Sequence, residues 1–183
     1  IEVKLITKNR LGFVGELIDK IESHSVADLA IQTTLRNLDI PKSWPAEVER
    51  VVESFTEVIS PQEYRTRLDL TSLPFITIDG ETAKDFDDAV YAEPFKDGGW
   101  RILIAIADVG HYVTDGSPID IEARNRGTSV YFPEFVVPML PEELSNDRCS
   151  LVPDEDRLVI VCEAFLYPGH SEPHFQFHEA IIK

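Results

Sequence analysis

The stretch at residues 76–90 constrains this chain more than any other part of it. Four aspartates fall within ten residues there, namely Asp79, Asp85, Asp87 and Asp88. Pro74 and an apolar run precede them, and a β-prone run at 89–91 follows. The pattern therefore predicts a strand, a tight acidic loop and a second strand. Carboxylates this close repel one another, so an enclosed cluster needs a compensating positive charge.

Two interpretations of the acidic stretch remain open from its spacing alone. Oxygen-only ligands of this kind suit a hard divalent cation, Mg²⁺ or Mn²⁺. The other interpretation is a solvated acidic turn, which is what most aspartate-rich loops are. A structural calcium loop is disfavoured, because residues 85–88 lack the glycine and the distal glutamate that such a loop uses.

The composition predicts a packed domain and limits how the chain meets other molecules. Hydrophobic residues make up 43% of the 183 residues and charged residues 27%, which permits a core. A net charge of −16 argues against holding a polyanion by bulk charge, although bound cations reverse the local sign. The longest apolar run, at 102–107, is far shorter than the roughly 18 residues of a membrane span. With only Cys149 and Cys162 and no recognisable signal peptide, a cytoplasmic location without a disulfide is expected.

The N-terminal third is predicted to change from strands to a helix. Apolar residues at 1–5 and 13–18 predict two strands, and residues 27–31 predict a third. Valines and a phenylalanine recur at helical spacing over about residues 45–58, which predicts an amphipathic helix. Residues 62–72 are expected to be a polar connection.

The middle of the chain predicts a hairpin and a buried strand. A glycine-containing turn at 97–99 separates two β-prone runs. The second run lacks alternation at 102–107, so that strand is expected to be buried on both faces. Asp108 follows this strand directly. Capping a loop is the preferred role for its carboxylate, and supporting the acidic stretch from behind its ligands is the alternative.

The last part of the chain predicts one helix and two more strands. Ser117 and Gly127 carry the signals of a helix start and a helix end. Two arginines in its last turn either reach a phosphate or stabilise that end of the helix. Strands are predicted at 158–166 and 174–182. His174 and His178 lie on one face of the last strand, where a half-exposed sheet is preferred over a zinc site.

Five motifs occur in a fixed order, at residues 78–90, 104–109, 124–133, 137–141 and 144–151. In this order they resemble the catalytic RNB domain of the ribonuclease II superfamily. The resemblance is continuous over 73–183 and weaker over 1–72. It implies a mixed α/β (α+β) fold in three segments. They are the end of an OB-like cold-shock domain (1–40), a helical linker (41–72) and the N-terminal part of the catalytic domain (73–183).

The same resemblance implies a processive 3′→5′ exoribonuclease that releases nucleoside 5′-monophosphates, with Mg²⁺ (or Mn²⁺) as cofactor. It implies that Asp79, Asp85 and Asp88 bind metal and that Asp87 is most directly tied to cleavage. It implies that Tyr131 stacks on the terminal nucleotide of a single-stranded 3′ end.

Because the family's catalytic domain continues past Lys183, the chain is expected to be a piece with little or no activity of its own. A self-contained, non-catalytic metal- or RNA-binding module is the alternative. Neither a membrane nor an obligate protein partner is expected.

Overall fold

The computed structural model describes residues 2–10, 12–21, 23, 25–55, 59–81, 83–133, 135–169 and 174–183. The strands are β1 (Glu2–Asn9), β2 (Gly12–Asp19), β3 (Leu68–Asp69), β4 (Asp88–Phe95), β5 (Gly99–Ala107), β6 (Val130–Tyr131), β7 (Val136–Val137), β8 (Arg157–Leu166) and β9 (His174–Ile182). The helices are α1 (Val26–Asn37), α2 (Ala46–Glu53), α3 (Glu63–Thr66), α4 (Val109–Tyr112) and α5 (Pro118–Arg126), with a π-helix at Glu143–Arg148. The mixed α/β class is confirmed.

The chain divides into two compact units. The first consists of Ile1–Ser43 and Val130–Val137, and the second of Trp44–Ser129 and Pro138–Lys183. In the first unit the two predicted strands, β1 and β2, form an antiparallel hairpin, and β6 pairs with β7. This unit also holds α1.

The strand predicted at residues 27–31 is wrong, because this segment belongs to α1. The Ser25 hydroxyl accepts a hydrogen bond from Asp28 N at 3.0 Å and so caps the helix. Further along the helix, Arg36 forms a 2.8 Å ion pair with Asp19 at the end of β2. The cap satisfies a backbone N–H group in the first turn of α1. Apolar periodicity alone does not detect such a cap.

The second unit is built on a five-stranded sheet in the order β3-β9-β8-β5-β4. Only the β3–β9 pair is parallel. A 3₁₀ turn at Lys96–Gly98 joins β4 to β5, and positive φ angles at Asp97 and Gly98 make that turn possible. The predicted hairpin and the two predicted final strands are therefore confirmed.

One face of this sheet carries the hydrophobic core. Val48 of α2 and Ile119 of α5 pack against it, and both are almost fully buried. The sheet contributes small and branched side chains to the same cluster, namely Ala89, Leu103, Ala105, Ala107, Val159, Val161, Ala180 and Ile182. Leu144, Cys149 and Leu151 reach the core from the segment before β8.

The other face of the sheet is open along β5, so the expectation that residues 102–107 are buried on both faces is wrong. The same face is covered at Leu158 and Ile181, which are both buried. Burial along β5 alternates, with Leu103 at 0% exposure while Ile104 and Ile106 are 39% and 47% exposed. Trp100 at the start of β5 is exposed on this face as well, and the neighbouring strands β8 and β9 add Leu166, Phe175 and Phe177. Hydrophobicity on both sides of a strand identifies faces able to be buried, whereas burial itself requires a covering layer.

Three other predictions differ from the structure. The helix predicted over 45–58 ends earlier, as α2 at Glu53, although residues 56–58 lie outside the described part of the chain. The segment 62–72 is not a plain connection, since it contains α3 and β3. The strand expected before the acidic stretch is reduced to one bridge between Ile76 and Val90. Among the described residues, no helix combines the length and apolarity needed to cross a bilayer.

Candidate functional site

The acidic loop, residues 79–88, begins just after an antiparallel bridge. Ile76 N donates to Val90 O at 3.0 Å and Val90 N donates to Ile76 O at 2.8 Å. A turn follows in which Ala83 N donates to Gly80 O at 3.0 Å. Asp79 therefore comes shortly after Ile76, the residue whose backbone is hydrogen-bonded to β4.

The second half of the acidic loop is fixed to the core around Phe86. The Phe86 side chain packs against the core cluster. Its N–H donates to Ser150 Oγ at 3.2 Å, and its carbonyl accepts from Leu151 N at 2.8 Å. The Ser150 hydroxyl also donates to Lys84 O at 2.7 Å. Three hydrogen bonds and one aromatic ring thus hold the backbone on both sides of Asp85.

The end of the acidic loop joins the sheet. Ala107 N donates to Asp87 O at 2.9 Å, and Asp88 is the first residue of β4. Asp88 is the register partner of Ile106, so both side chains belong to the open face of the sheet. The carboxylate of Asp88 therefore projects at the edge of that apolar face.

The side chains of Asp79, Asp85, Asp87 and Asp88 are all exposed. Within the described part of the chain, none of these four carboxylates has an ion pair or a side-chain hydrogen bond. No group of three potential metal-ligating side chains converges among the described residues either. The fold thus places four predicted site residues on one short loop without gathering them into a coordination sphere.

Asp108 has a different environment from the acidic loop. It is buried, its Oδ2 lies 2.7 Å from Arg67 Nη2, and its Oδ1 accepts from His111 N at 3.2 Å as the cap of α4. Asp108 does have a capping role, as preferred from the sequence, but it caps helix α4 and not a loop. Arg67 is the partner that sequence reasoning missed, because 41 positions separate the two residues.

The two arginines of α5 are engaged by their own surroundings. Arg124 Nε lies 3.0 Å from Asp120 Oδ1, and its Nη2 lies 2.9 Å from Asp115 Oδ1. Arg126 is held by Glu122 at 2.8 Å and stacks on the Trp44 ring at 3.6 Å. These contacts support stabilisation of the helix end over capture of a phosphate.

Tyr131 is the remaining predicted site residue. It lies in β6, paired with Val136, and 71% of it is exposed. Tyr131 belongs to the first compact unit, whereas the four aspartates belong to the second. An exposed ring on a short strand is available for stacking on a flat ligand.

The polar residues of β9 form a structural network on the sheet. Gln176 Nε2 donates to Glu163 Oε2 at 2.5 Å, and His178 Nε2 lies 3.1 Å from the same oxygen. Arg101 Nε donates to Glu163 Oε1 at 2.6 Å. The preference for a sheet face over a zinc site at these histidines agrees with this network. His174 is exposed at the start of the same strand.

Comparisons with known proteins give one consistent family. The RNB domain model matches residues 67–183. The ribonuclease R of Vibrio cholerae is 47% identical over 176 residues, which are 96% of this chain and 21% of that relative. Two structures of Mycoplasma genitalium RNase R, with double-stranded RNA and with ribose-methylated single-stranded RNA, match at TM-scores of 0.76 and 0.75 and 37% identity. Each match covers 84% of this chain. The matched part is 27% of the RNase R chain in the first structure and 24% of it in the second.

Proposed function

The chain belongs to the RNB domain family, as its motifs predicted, and from this membership we propose that it is part of a 3′→5′ exoribonuclease of the ribonuclease R type. The proposed reaction is processive hydrolysis of RNA to nucleoside 5′-monophosphates. Because the chain spans about a fifth of its curated relative, the proposed activity is that of a longer polypeptide. Little or no activity is expected from the 183 residues alone.

The observation that supports this proposal is the acidic loop itself. Its four carboxylates are exposed and have no side-chain partner within the described part of the chain, while its backbone is fixed to the core through Phe86. Carboxylates on a fixed backbone keep their positions when a charged ligand arrives, so less reorganisation opposes binding.

The donor set fits a hard divalent cation, Mg²⁺ or Mn²⁺, since it consists of carboxylate oxygens alone. We assign Asp79, Asp85 and Asp88 as ligands and Asp87 as the carboxylate most directly tied to cleavage. When bound, divalent cations neutralise phosphate oxygens and make a water nucleophilic. The chain's own part is to present these oxygens at a solvent-facing edge. Binding through cations also reconciles the charge of −16 with an RNA substrate.

Tyr131 is the proposed contact to the terminal nucleotide. Its exposed ring suits stacking, which is worth about 1–3 kcal/mol per base. In a complete ribonuclease that carries this segment, Tyr131→Ala should therefore raise the KM for single-stranded RNA roughly tenfold. Tyr131→Phe keeps the ring and should match the unaltered protein. Equal effects of both changes would contradict stacking.

The remaining parts of the proposal concern partners, location and domains. We propose the 3′ end of single-stranded RNA as the partner, with no obligate protein partner or membrane, and a cytoplasmic location. The free thiols of Cys149 and Cys162 and the bacterial relative support that location. The division into a cold-shock end (1–40), a linker (41–72) and a catalytic part (73–183) also remains our proposal.

A non-catalytic metal- or RNA-binding module is the second candidate function for the isolated chain. The exposed ring of Tyr131 and the exposed carboxylates of the acidic loop suit binding whether or not cleavage follows. The two candidates differ in what happens when the chain is placed in a complete ribonuclease.

A chimera tests the proposal directly. This chain would replace the matching segment of the Vibrio cholerae ribonuclease R, and release of mononucleotides from single-stranded RNA would be measured with Mg²⁺. Asp87→Asn should lower kcat by about 10²-fold or more while RNA binding changes little. Asp97→Asn is the matched control, since this exposed aspartate lies in the turn between β4 and β5. An unchanged kcat for Asp87→Asn would refute the assignment.

A further inference from the structure

Ser150 lies in a buried segment that hydrogen-bonds to the acidic loop. Its neighbours Cys149 and Leu151 are both buried, and Ser150 itself is 1% exposed. The Ser150 carbonyl accepts a hydrogen bond from Arg157 Nε at 2.8 Å. Because Arg157 is the first residue of β8, this hydrogen bond joins the segment around Ser150 to the five-stranded sheet.

The Ser150 hydroxyl makes two hydrogen bonds to the loop, one as donor and one as acceptor. It donates to Lys84 O at 2.7 Å and accepts from Phe86 N at 3.2 Å. These two backbone groups lie immediately before and after Asp85. A serine hydroxyl offers one donor and two acceptor positions. The Ser150 hydroxyl therefore acts as donor to one of the two peptide groups that flank Asp85 and as acceptor from the other.

No other side chain in the described part of the chain hydrogen-bonds to this part of the loop. Among the described residues, two backbone hydrogen bonds would still join residues 84–87 to the rest of the fold without the Ser150 hydroxyl, from Leu151 N to Phe86 O and from Ala107 N to Asp87 O. Both of those lie on the C-terminal side of Asp85. The N-terminal side of Asp85 would then lose its connection to the core.

Resting on the proposed function, we propose that Ser150 is a positioning residue for the acidic loop. It touches neither metal nor RNA. It sets where the Asp85 carboxylate stands by fixing the peptide groups on both sides of that residue. A residue that acts in this way changes the affinity for the divalent cation and the rate of cleavage, with little effect on the binding of RNA.

The first test uses the 183-residue chain and needs no activity. Ser150→Ala removes both hydrogen bonds without adding atoms to the core. Amide hydrogen exchange of Phe86, followed by NMR, should accelerate on the order of tenfold. Exchange of the Ala180 amide, inside β9, should change no more than global stability requires. Unaltered Phe86 exchange would overturn the proposal.

The second test uses the chimera with the Vibrio cholerae ribonuclease R. Ser150→Ala should lower kcat about 10–100-fold and raise the Mg²⁺ concentration for half-maximal activity, with KM for RNA nearly unchanged. Ser117→Ala is the matched control, because it removes a serine hydroxyl that caps α5. It should lower stability similarly and leave the Mg²⁺ dependence as it was.

The outcomes separate this proposal from the proposed function. If Asp87→Asn abolishes activity and Ser150→Ala behaves like Ser117→Ala, the role of Ser150 is refuted and the proposed function stands. If the chimera with unaltered residues fails to degrade RNA, the proposed function is refuted. Exchange at Phe86 then decides by itself whether Ser150 holds the loop.

Discussion

Arg67 and Asp108 form a buried ion pair, with 2.7 Å between Nη2 and Oδ2 and side-chain exposures of 4% and 10%. Arg67 also donates through Nε to Glu63 at 2.6 Å. Its Nη1 is buried without a hydrogen-bond partner among the described residues. The pair links the residue before β3 to the residue after β5, so it ties together chain segments that meet only in the folded state.

Arg67→Met should therefore be strongly destabilising. Removing the guanidinium leaves a buried, uncompensated carboxylate at Asp108, which typically costs about 3–5 kcal/mol. Urea unfolding would measure the loss in free energy. Arg50→Met is the control, because the Arg50–Glu47 pair is exposed at 69% and 63% and should cost less than about 1 kcal/mol. Similar losses for both variants would contradict the structural role of the buried pair.

Truncation of two adjacent residues of β5 should destabilise the chain to different extents. Leu103→Ala empties a fully buried site and should cost about 2–5 kcal/mol in the free energy of unfolding. Ile104→Ala acts on the open face, where 39% of the residue is exposed, and should cost clearly less. Urea midpoints for the two variants give the comparison. Equal losses would mean that the open face is covered in solution.

The pH dependence of stability should include a contribution from Glu163. Burial raises the pKa of this carboxyl. Hydrogen bonds from Gln176, Arg101 and His178 together lower the pKa by more than burial raises it, so it ends below the ordinary 4.5. A carboxyl whose pKa is lowered on folding stabilises the protein above its unfolded pKa and loses that contribution as pH falls through the folded value. The stabilisation should be complete at pH 7 and disappear below pH 4.5.

Glu163→Gln tests this contribution. The difference in unfolding free energy between this variant and the unaltered chain should be largest near neutrality and should shrink below pH 4.5. Chemical denaturation at a series of pH values would measure it. Glu49→Gln serves as a control at an exposed position of α2. A constant difference across the whole pH range would contradict the lowered pKa.

Cysteine labelling should distinguish the two thiols. Burial, followed by the nearby Asp108 carboxylate, raises the pKa of Cys149 to about 11, so almost no thiolate is present at pH 8. Cys162 is only partly buried. Iodoacetamide at pH 8 should therefore modify Cys162 first in the native chain, as read by mass spectrometry. Both thiols should react in urea, and preferential native labelling of Cys149 would contradict its burial.

Mg²⁺ should stabilise the chain if the acidic loop binds it. A ligand at 100 times its Kd raises the free energy of unfolding by about 2.7 kcal/mol, which corresponds to a higher Tm. The Asp85→Asn/Asp88→Asn double variant should lose that shift, and Asp97→Asn should keep it. Absence of any shift at millimolar Mg²⁺ would mean that the isolated chain does not form the site.

Local patterns in the sequence anticipated much of the sheet and the capped helix. The hairpin between β4 and β5 needed only a glycine-containing turn between apolar runs, and α5 needed only Ser117 and Gly127 at its ends. Those signals act between residues that are close in the sequence, so they can be recognised from the sequence alone. The strand prediction for residues 27–31 failed although the deciding signal was also local, because the Ser25 cap outweighed an apolar run.

The sequence by itself determined the chemistry of this protein: four carboxylates in ten residues and motifs that place the chain in the RNB domain family. Tertiary structure alone decided how that chemistry is held. Ser150 reaches Lys84 and Phe86 across 66 and 64 positions, and Ile104 is exposed while Leu103 is buried. Hydrogen bonds and burial act over a few ångströms of space, whichever distance separates the residues along the chain. Only the packed fold can therefore bring such partners together.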